Sequence, residues 1–218
     1  MKLDEAMPLL ERACGKRFGE LFAGHPEDLR TNKGHAGQLL LTYIGLKLDC
    51  ELCDFEDGEL KTNKALPNGE PLETMWITQI LSDIDNLVGA SPVPFKRSRL
   101  YTKIRNLVYL PVVKQSRNAA DWYFVRCIRV RAEEGSALYE KYKQDYEAIC
   151  SKLTSDIEHG SDGFIHTSSG PNYIQVRSKD AKPYKPIFSK KYGRHVSNKN
   201  HGFYFMKPFM RDALAGRL

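Results

Sequence analysis

Two strongly β-forming runs set the limits on what this chain can fold into. Residues 107–113 (LVYLPVV) and 122–130 (WYFVRCIRV) are dense in β-branched and aromatic side chains. Such runs read as strands from the middle of a sheet. Directly after them, residues 133–153 carry apolar positions at helical spacing among many charges, which predicts a long amphipathic helix. The 218 residues suffice for one domain, or one domain with two lobes, and can bury a core without disulfides or a structural metal.

Around these elements the pattern is mixed α and β about one sheet. Residues 1–23 read as helix, broken near Gly15, and 32–45 as a second helix with Leu39, Leu40, Tyr43 and Ile44 on its apolar face. Short strands are predicted at 54–55 and 59–62 about a turn at Asp57-Gly58, with a turn at 67–69 and a strand at 74–81. Further strands are expected at 173–176 and 202–206, then a final helix at 209–218. Neither a repeat nor a low-complexity segment interrupts the pattern.

No apolar run reaches the roughly 18 residues of a membrane span, and no signal-peptide core follows the N-terminus, so a cytoplasmic protein is expected. Five scattered cysteines, an odd number, fit reduced thiols, and the lone C-x-x-C at Cys50 and Cys53 lacks a second pair for zinc. The histidines have no metal-ligand spacing and read as loop or surface residues, with His195 and His201 candidates to lie near a nucleic acid. Net charge is +6, and the bases cluster. Residues 96–114 carry six with no acid, and 177–207 carry nine, from Arg177 to Lys207. One basic face would follow, suited to phosphates, although a solvated basic surface explains the same counts.

The segment with the most chemistry is 54–61, Asp54 to Lys61, of the form D-x4-E-x-K. On a strand, residues i and i+2 share a side, so Glu59 and Lys61 project together while Leu60 turns into the core. Asp54 can meet them across the turn. Two carboxylates with water suit Mg²⁺, with Mn²⁺ as a substitute, and a lysine beside the ion can orient water or offset charge on a phosphodiester. A solvated Glu/Lys pair is the common alternative for E-x-K alone.

Seven segments in order, one of them within that motif, extend the pattern along the chain. Lys33-Gly34 with Gly37 opens the second helix, and Glu59-Leu60-Lys61-Thr62 and Pro71-Leu72-Glu73-Thr74 follow. Lys103-Ile104 precedes Val108-Tyr109-Leu110-Pro111-Val112. Asp145-Tyr146-Glu147, 173–179 (YIQVRSK) and 202–207 (GFYFMK) complete the series. Together these resemble the MutH family of mismatch-repair and restriction endonucleases, within the PD-(D/E)XK nucleases, over roughly residues 17–218. The resemblance implies an α/β, mixed α+β fold. It has a restriction-endonuclease-like core, a central mixed sheet flanked by helices, and two lobes forming a DNA-binding cleft. The whole chain, 1–218, would be one such domain, with a catalytic lobe at about 1–105 and a DNA-reading lobe at 106–218.

By the same resemblance Asp54 and Glu59 would bind metal, and Lys61 and Lys103 would complete the catalytic set. Lys33 and Lys207 would contact DNA, and Trp76 would touch the minor groove. Arg177 would read a base with Lys179 as companion, and Tyr204 would approach the adenine whose methylation is sensed. A bidentate arginine is worth about 1–3 kcal/mol of discrimination at guanine.

Three positions depart from the family. Its helix carboxylate falls on Leu41, for which Glu20 is the candidate replacement. The spacing from Asp54 to Glu59 is shorter, and Ser178 replaces a proline after the reading arginine. The resemblance therefore implies a Mg²⁺-dependent type II restriction endonuclease acting on double-stranded DNA at a short, GATC-like site. A cognate DNA methyltransferase is an implied partner. The alternatives are a methylation-sensing nickase recruited by a repair ATPase, and a catalytically silent DNA-binding module.

Overall fold

The apolar run at 107–113 forms β3 (Asn106–Val113), buried along all but its first residue. Along one edge it pairs in parallel with β1 (Glu59–Ala65), Glu59 opposite Leu107 and Ala65 opposite Val113. It also pairs antiparallel with β4 (Tyr123–Phe124) and β5 (Ile128–Arg131). The sheet is therefore mixed, and the fold is mixed α and β. The computed structural model describes residues 1–23, 35–47, 52–168, 170, 172–179 and 182–218.

The expected single strand at 122–130 is two strands, and Pro111 accounts for the break. Its carbonyl accepts from the Val125 amide at 2.9 Å, but proline has no N–H to return. Three residues, 125–127, then face two on β3 before pairing resumes at Tyr109 and Ile128. The strand expected at 54–55 is also absent, replaced by a succession of bends closed by a Phe55 amide to Gly58 carbonyl bond of 3.0 Å.

The chain divides into two compact units, Met1–Met75 with Lys103–Arg131 and Met210–Leu218, and Trp76–Thr102 with Ala132–Phe209. In the first, α1 (Leu3–Ala13), α2 (Phe18–Leu21) and α3 (His35–Tyr43) contribute to the core. Gly15, with φ of 77°, ends α1 where the sequence predicts a break. The core gathers Leu3, Leu10, Phe18, Leu40, Phe55, Leu60, Val108 and Phe124.

The second unit holds a three-stranded sheet in the order β2 (Met75–Gln79), β9 (Asn200–Phe205), β6 (Ile174–Lys179). It also has α4 (Ile84–Leu87), the long α6 (Ala137–His159) and a ribbon of β7 (Ile187–Ser189) and β8 (Arg194–Ser197). The short α5 (Arg99–Ile104) and α7 (Lys207–Leu214) complete the chain. The helix expected at 133–153 starts four residues later, because the Ser136 hydroxyl caps it by accepting from the Tyr139 amide at 3.1 Å.

Asp145 explains why a carboxylate sits in α6. It is buried and accepts from the Tyr173 and Ile174 amides at 2.7 and 2.9 Å, fixing the start of β6. Burial pushes its carboxyl up, and those two amides and Lys141 pull it back. Stacked Phe205 and Phe209, 3.9 Å apart, and Tyr142 pack beneath that sheet. No helix among the described residues is long and apolar enough to cross a membrane.

Candidate active site

The bends before β1 are held from several sides. Phe55 is buried in the core, and the Asp57 carboxylate accepts from the Leu3 amide at 2.7 Å, at the N-terminus of α1. Asn106, at the start of β3, donates to the Asp57 carbonyl at 2.7 Å. Gly58 lies so close that a side-chain carbon there would stand 2.7 Å from the Asn106 carbonyl oxygen. These contacts close the short connection between Asp54 and Glu59 without a preceding strand.

The closure brings four charged groups together. Glu59 is 3 % exposed and Lys61 9 %, while Leu60 between them packs into the core. The Lys61 ammonium lies 2.7 Å from Glu59 Oε1. Lys103, on α5, donates to both Glu59 oxygens at 2.8 and 2.9 Å. Asp54 accepts from the Leu60 amide at 2.9 Å, and its own amide donates to Glu59 Oε2 at 3.3 Å. Glu59 and Lys61 are thus a buried pair, not a solvated one. Burying charges at such a cost requires partners, and here two carboxylates face two ammonium groups.

Burial and, next, the charge of Glu59 push the Asp54 carboxyl above its ordinary value of 3.8. The Leu60 amide, Lys61 and Lys103 oppose the shift. Two hard carboxylates, one of them raised by burial and then by the other, are a donor type that suits a divalent cation. Mg²⁺ is commonly held by one or two carboxylates, with water and phosphate completing its shell. The residues present fit such an ion.

A third acid does not join them. Leu41 is buried in the core. Glu20 is exposed on α2, and among the described residues no group of three His, Cys, Asp or Glu side chains could hold a metal. Lys33 and Cys50 lie outside the described residues.

The chain matches no protein-family model and no curated protein sequence.

In the second unit, Trp76, Arg177, Lys179 and Tyr204 meet on one face of the β2–β9–β6 sheet. The Trp76 and Tyr204 rings meet edge to face, 5.0 Å apart at 82°. The Arg177 guanidinium lies 5.8 Å from the Tyr204 ring, and the Lys179 ammonium 5.3 Å from that of Trp76. Gly202, opposite Arg177 in the ladder, makes this packing achievable: a side-chain carbon there would stand 2.3 Å from the Trp76 ring. On the opposite face Ile77, Val176, Phe203 and Phe205 are buried. Gln175, between Ile174 and Val176 and opposite Tyr204, donates to the Ser168 carbonyl.

Lys207 opens α7, half-buried. His195 is exposed on β8, but His201 is buried, bonded through Nδ1 to the Ser197 hydroxyl and the Lys199 carbonyl at 3.1 and 3.2 Å. The expectation of a loop or surface His201 is corrected accordingly: β9 turns it inward. Sequence reasoning missed Asp57, Gly58, Asn106 and Gly202 as the residues that shape the two constellations. The Asp57-Gly58 pair was legible as a turn, but its anchoring on α1 and β3 joins residues 49 or more positions apart.

Proposed function

We propose that this chain is a Mg²⁺-dependent, sequence-specific endonuclease of double-stranded DNA, of type II restriction character and a divergent relative of the MutH family. Under this reading the two units are the lobes of a restriction-endonuclease-like fold. The observation that carries it is the buried meeting of Asp54, Glu59, Lys61 and Lys103 at the start of β1. Glu59 holds two lysines, each with its side chain largely enclosed.

Asp54 and Glu59 would hold the ion, with Mn²⁺ as a substitute. When bound, the ion supplies positive charge at the scissile phosphate and lowers the pKa of an associated water. The chain's own groups supply the rest. Glu59 keeps the Lys61 and Lys103 ammonium groups where a phosphate would meet them. As water attacks phosphorus it gives up a proton to solvent, one P–O bond forms and the bond to the leaving oxygen breaks, that oxygen taking up a proton from solvent, while negative charge builds on the non-bridging oxygens. Fixed ammonium groups stabilise that charge more than they stabilise the resting diester.

Arg177, Lys179, Tyr204 and Trp76 form the base-reading face under this proposal. Arginine suits guanine, and a tyrosine against adenine senses an added methyl sterically. Ser178, in place of the family's proline, leaves the target free to differ from GATC. Lys33 and Lys207 would contact phosphates. A cognate methyltransferase, protecting the host's own sites, is the partner that this reading implies.

A second reading, a DNA-binding module that does not cleave, draws on Leu41 standing in the core where the family has an acid. Incubating the purified chain with Mg²⁺ and methylated or unmethylated genomic DNA, then sequencing the ends, separates the two. Ends at one short recurring sequence support the nuclease. Intact DNA under every divalent ion supports the silent module. Single-strand breaks alone support a nickase.

A further inference from the structure

The segment that carries β7 and β8 presents exposed aromatic and basic side chains that the proposed chemistry does not use. Tyr184 and Phe188 are 43 % and 48 % exposed. Each has a partner beside it. The Lys182 and Lys199 ammonium groups lie 6.0 and 5.7 Å from the Tyr184 ring. The exposed His195 ring meets Phe188 edge-on at 5.3 Å. Lys185, Lys190 and Lys191 are also exposed, and no acid occurs from 182 to 199.

This surface is built, not loosely solvated. Asp85 on α4 accepts from the Ser189 hydroxyl and from the Lys190 and Lys191 amides, which fixes the β7–β8 turn. Arg194 donates to the Ile157 and Gly163 carbonyls at 2.9 Å each, and the Tyr192 hydroxyl to Glu158 at 2.6 Å. The ribbon is also continuous with the candidate reading face. Lys179 is opposite Asn200 in the β6–β9 ladder, and Lys199, beside Tyr184, is the next residue along.

We infer that the β7–β8 ribbon is a binding platform for an unpaired DNA strand. Lysines alone would suit the phosphates of a duplex, whose bases are already stacked on one another. Exposed rings flanked by cations suit a strand that offers both phosphates and free base faces, because any base can stack on an aromatic ring. The inference needs neither metal nor cleavage, so it stands or fails apart from the nuclease reading.

The test uses the full chain in EDTA with a fluorescein-labelled oligothymidylate, an abasic oligomer of equal length and a matched duplex, followed by fluorescence anisotropy. Wild type should bind the oligothymidylate. Phe188→Ala and Tyr184→Ala should each weaken it about tenfold, an ordinary loss for one stacked base. Both should leave the salt dependence unchanged, since no phosphate contact is removed. The abasic oligomer should bind wild type and variants alike. The platform is overturned if wild type ignores the oligothymidylate, if both variants bind it as wild type does, or if wild type binds the abasic oligomer as tightly as it binds the oligothymidylate. An equal loss on the duplex overturns it too.

Discussion

Lys103 reaches Glu59 across 44 positions of sequence and closes both of its carboxylate oxygens, at 2.8 and 2.9 Å. In the free protein it therefore occupies the atoms that a divalent cation would use. Under the proposed mechanism the same ammonium group would both compete with the metal and serve the phosphate.

Lys103→Met should consequently split two properties that usually fall together. Divalent-ion affinity should rise about tenfold, the scale of one charge-assisted hydrogen bond of roughly 1.5 kcal/mol. Cleavage should slow by at least about tenfold. Calorimetric titration with Mg²⁺ beside a plasmid-cleavage rate reads both, and weaker ion binding in the variant would show that Lys103 helps to build the metal site.

Asp54 gives a pH-dependent prediction. Its carboxyl is raised above 3.8 by burial and by Glu59, so the folded chain holds this proton more tightly than the unfolded chain does. Ionising Asp54 costs no stability below the unfolded pKa. The cost grows as pH rises through the folded value and is fully present above it. Asp54→Asn, which can still accept from the Leu60 amide, should melt at or above the wild-type temperature at pH 7 and converge with wild type in acid. Mg²⁺ should raise the melting temperature of wild type more than that of the variant, and its affinity for wild type should weaken as Asp54 protonates. Melting curves across this pH range decide the matter; an Asp54→Asn protein clearly less stable at pH 7 would mean that the carboxylate is a structural anchor.

Gly202→Ala should disturb the reading face while leaving the Asp54–Glu59 site intact. The added carbon would stand 2.3 Å from the Trp76 ring and 2.8 Å from the Thr78 carbonyl oxygen, so both the ring and the β2 backbone must shift, at an overpacking cost of about 1–3 kcal/mol. Quenched or shifted tryptophan fluorescence and weaker duplex binding are expected, with Mg²⁺ binding unchanged. Wild-type duplex affinity in a folded variant would remove Trp76 from the reading face.

Much of this was legible in the residues. The strand at 107–113 and the placing of Leu60 on the opposite side of β1 from Glu59 and Lys61 follow from side-chain alternation and β-branching, which act locally. So does the break at Gly15. The split of 122–130 was not, because it depends on which strand Pro111 faces. The meeting of Lys103 with Glu59, and of Trp76 with Gly202, belongs to pairs far apart in sequence whose contact only topology creates. Periodicity carries no information about such pairs. The burial of His201 was hidden for a related reason: a polar residue turned inward on a strand is satisfied by Ser197 at the end of β8 and by Lys199 just beyond it, and hydropathy alone misreads such a residue as surface.

Cleavage of supercoiled plasmid in Mg²⁺ by wild type and by Lys61→Ala, with duplex affinity measured in Ca²⁺, tests the central assignment most directly. Wild type should cut, and Lys61→Ala should bind DNA within a few-fold of wild type yet cut at least about a hundredfold more slowly, as when one fixed charge-stabilising donor is removed. A Lys61→Ala protein that cuts at the wild-type rate, or a folded, DNA-binding wild type that never cuts, would contradict the account.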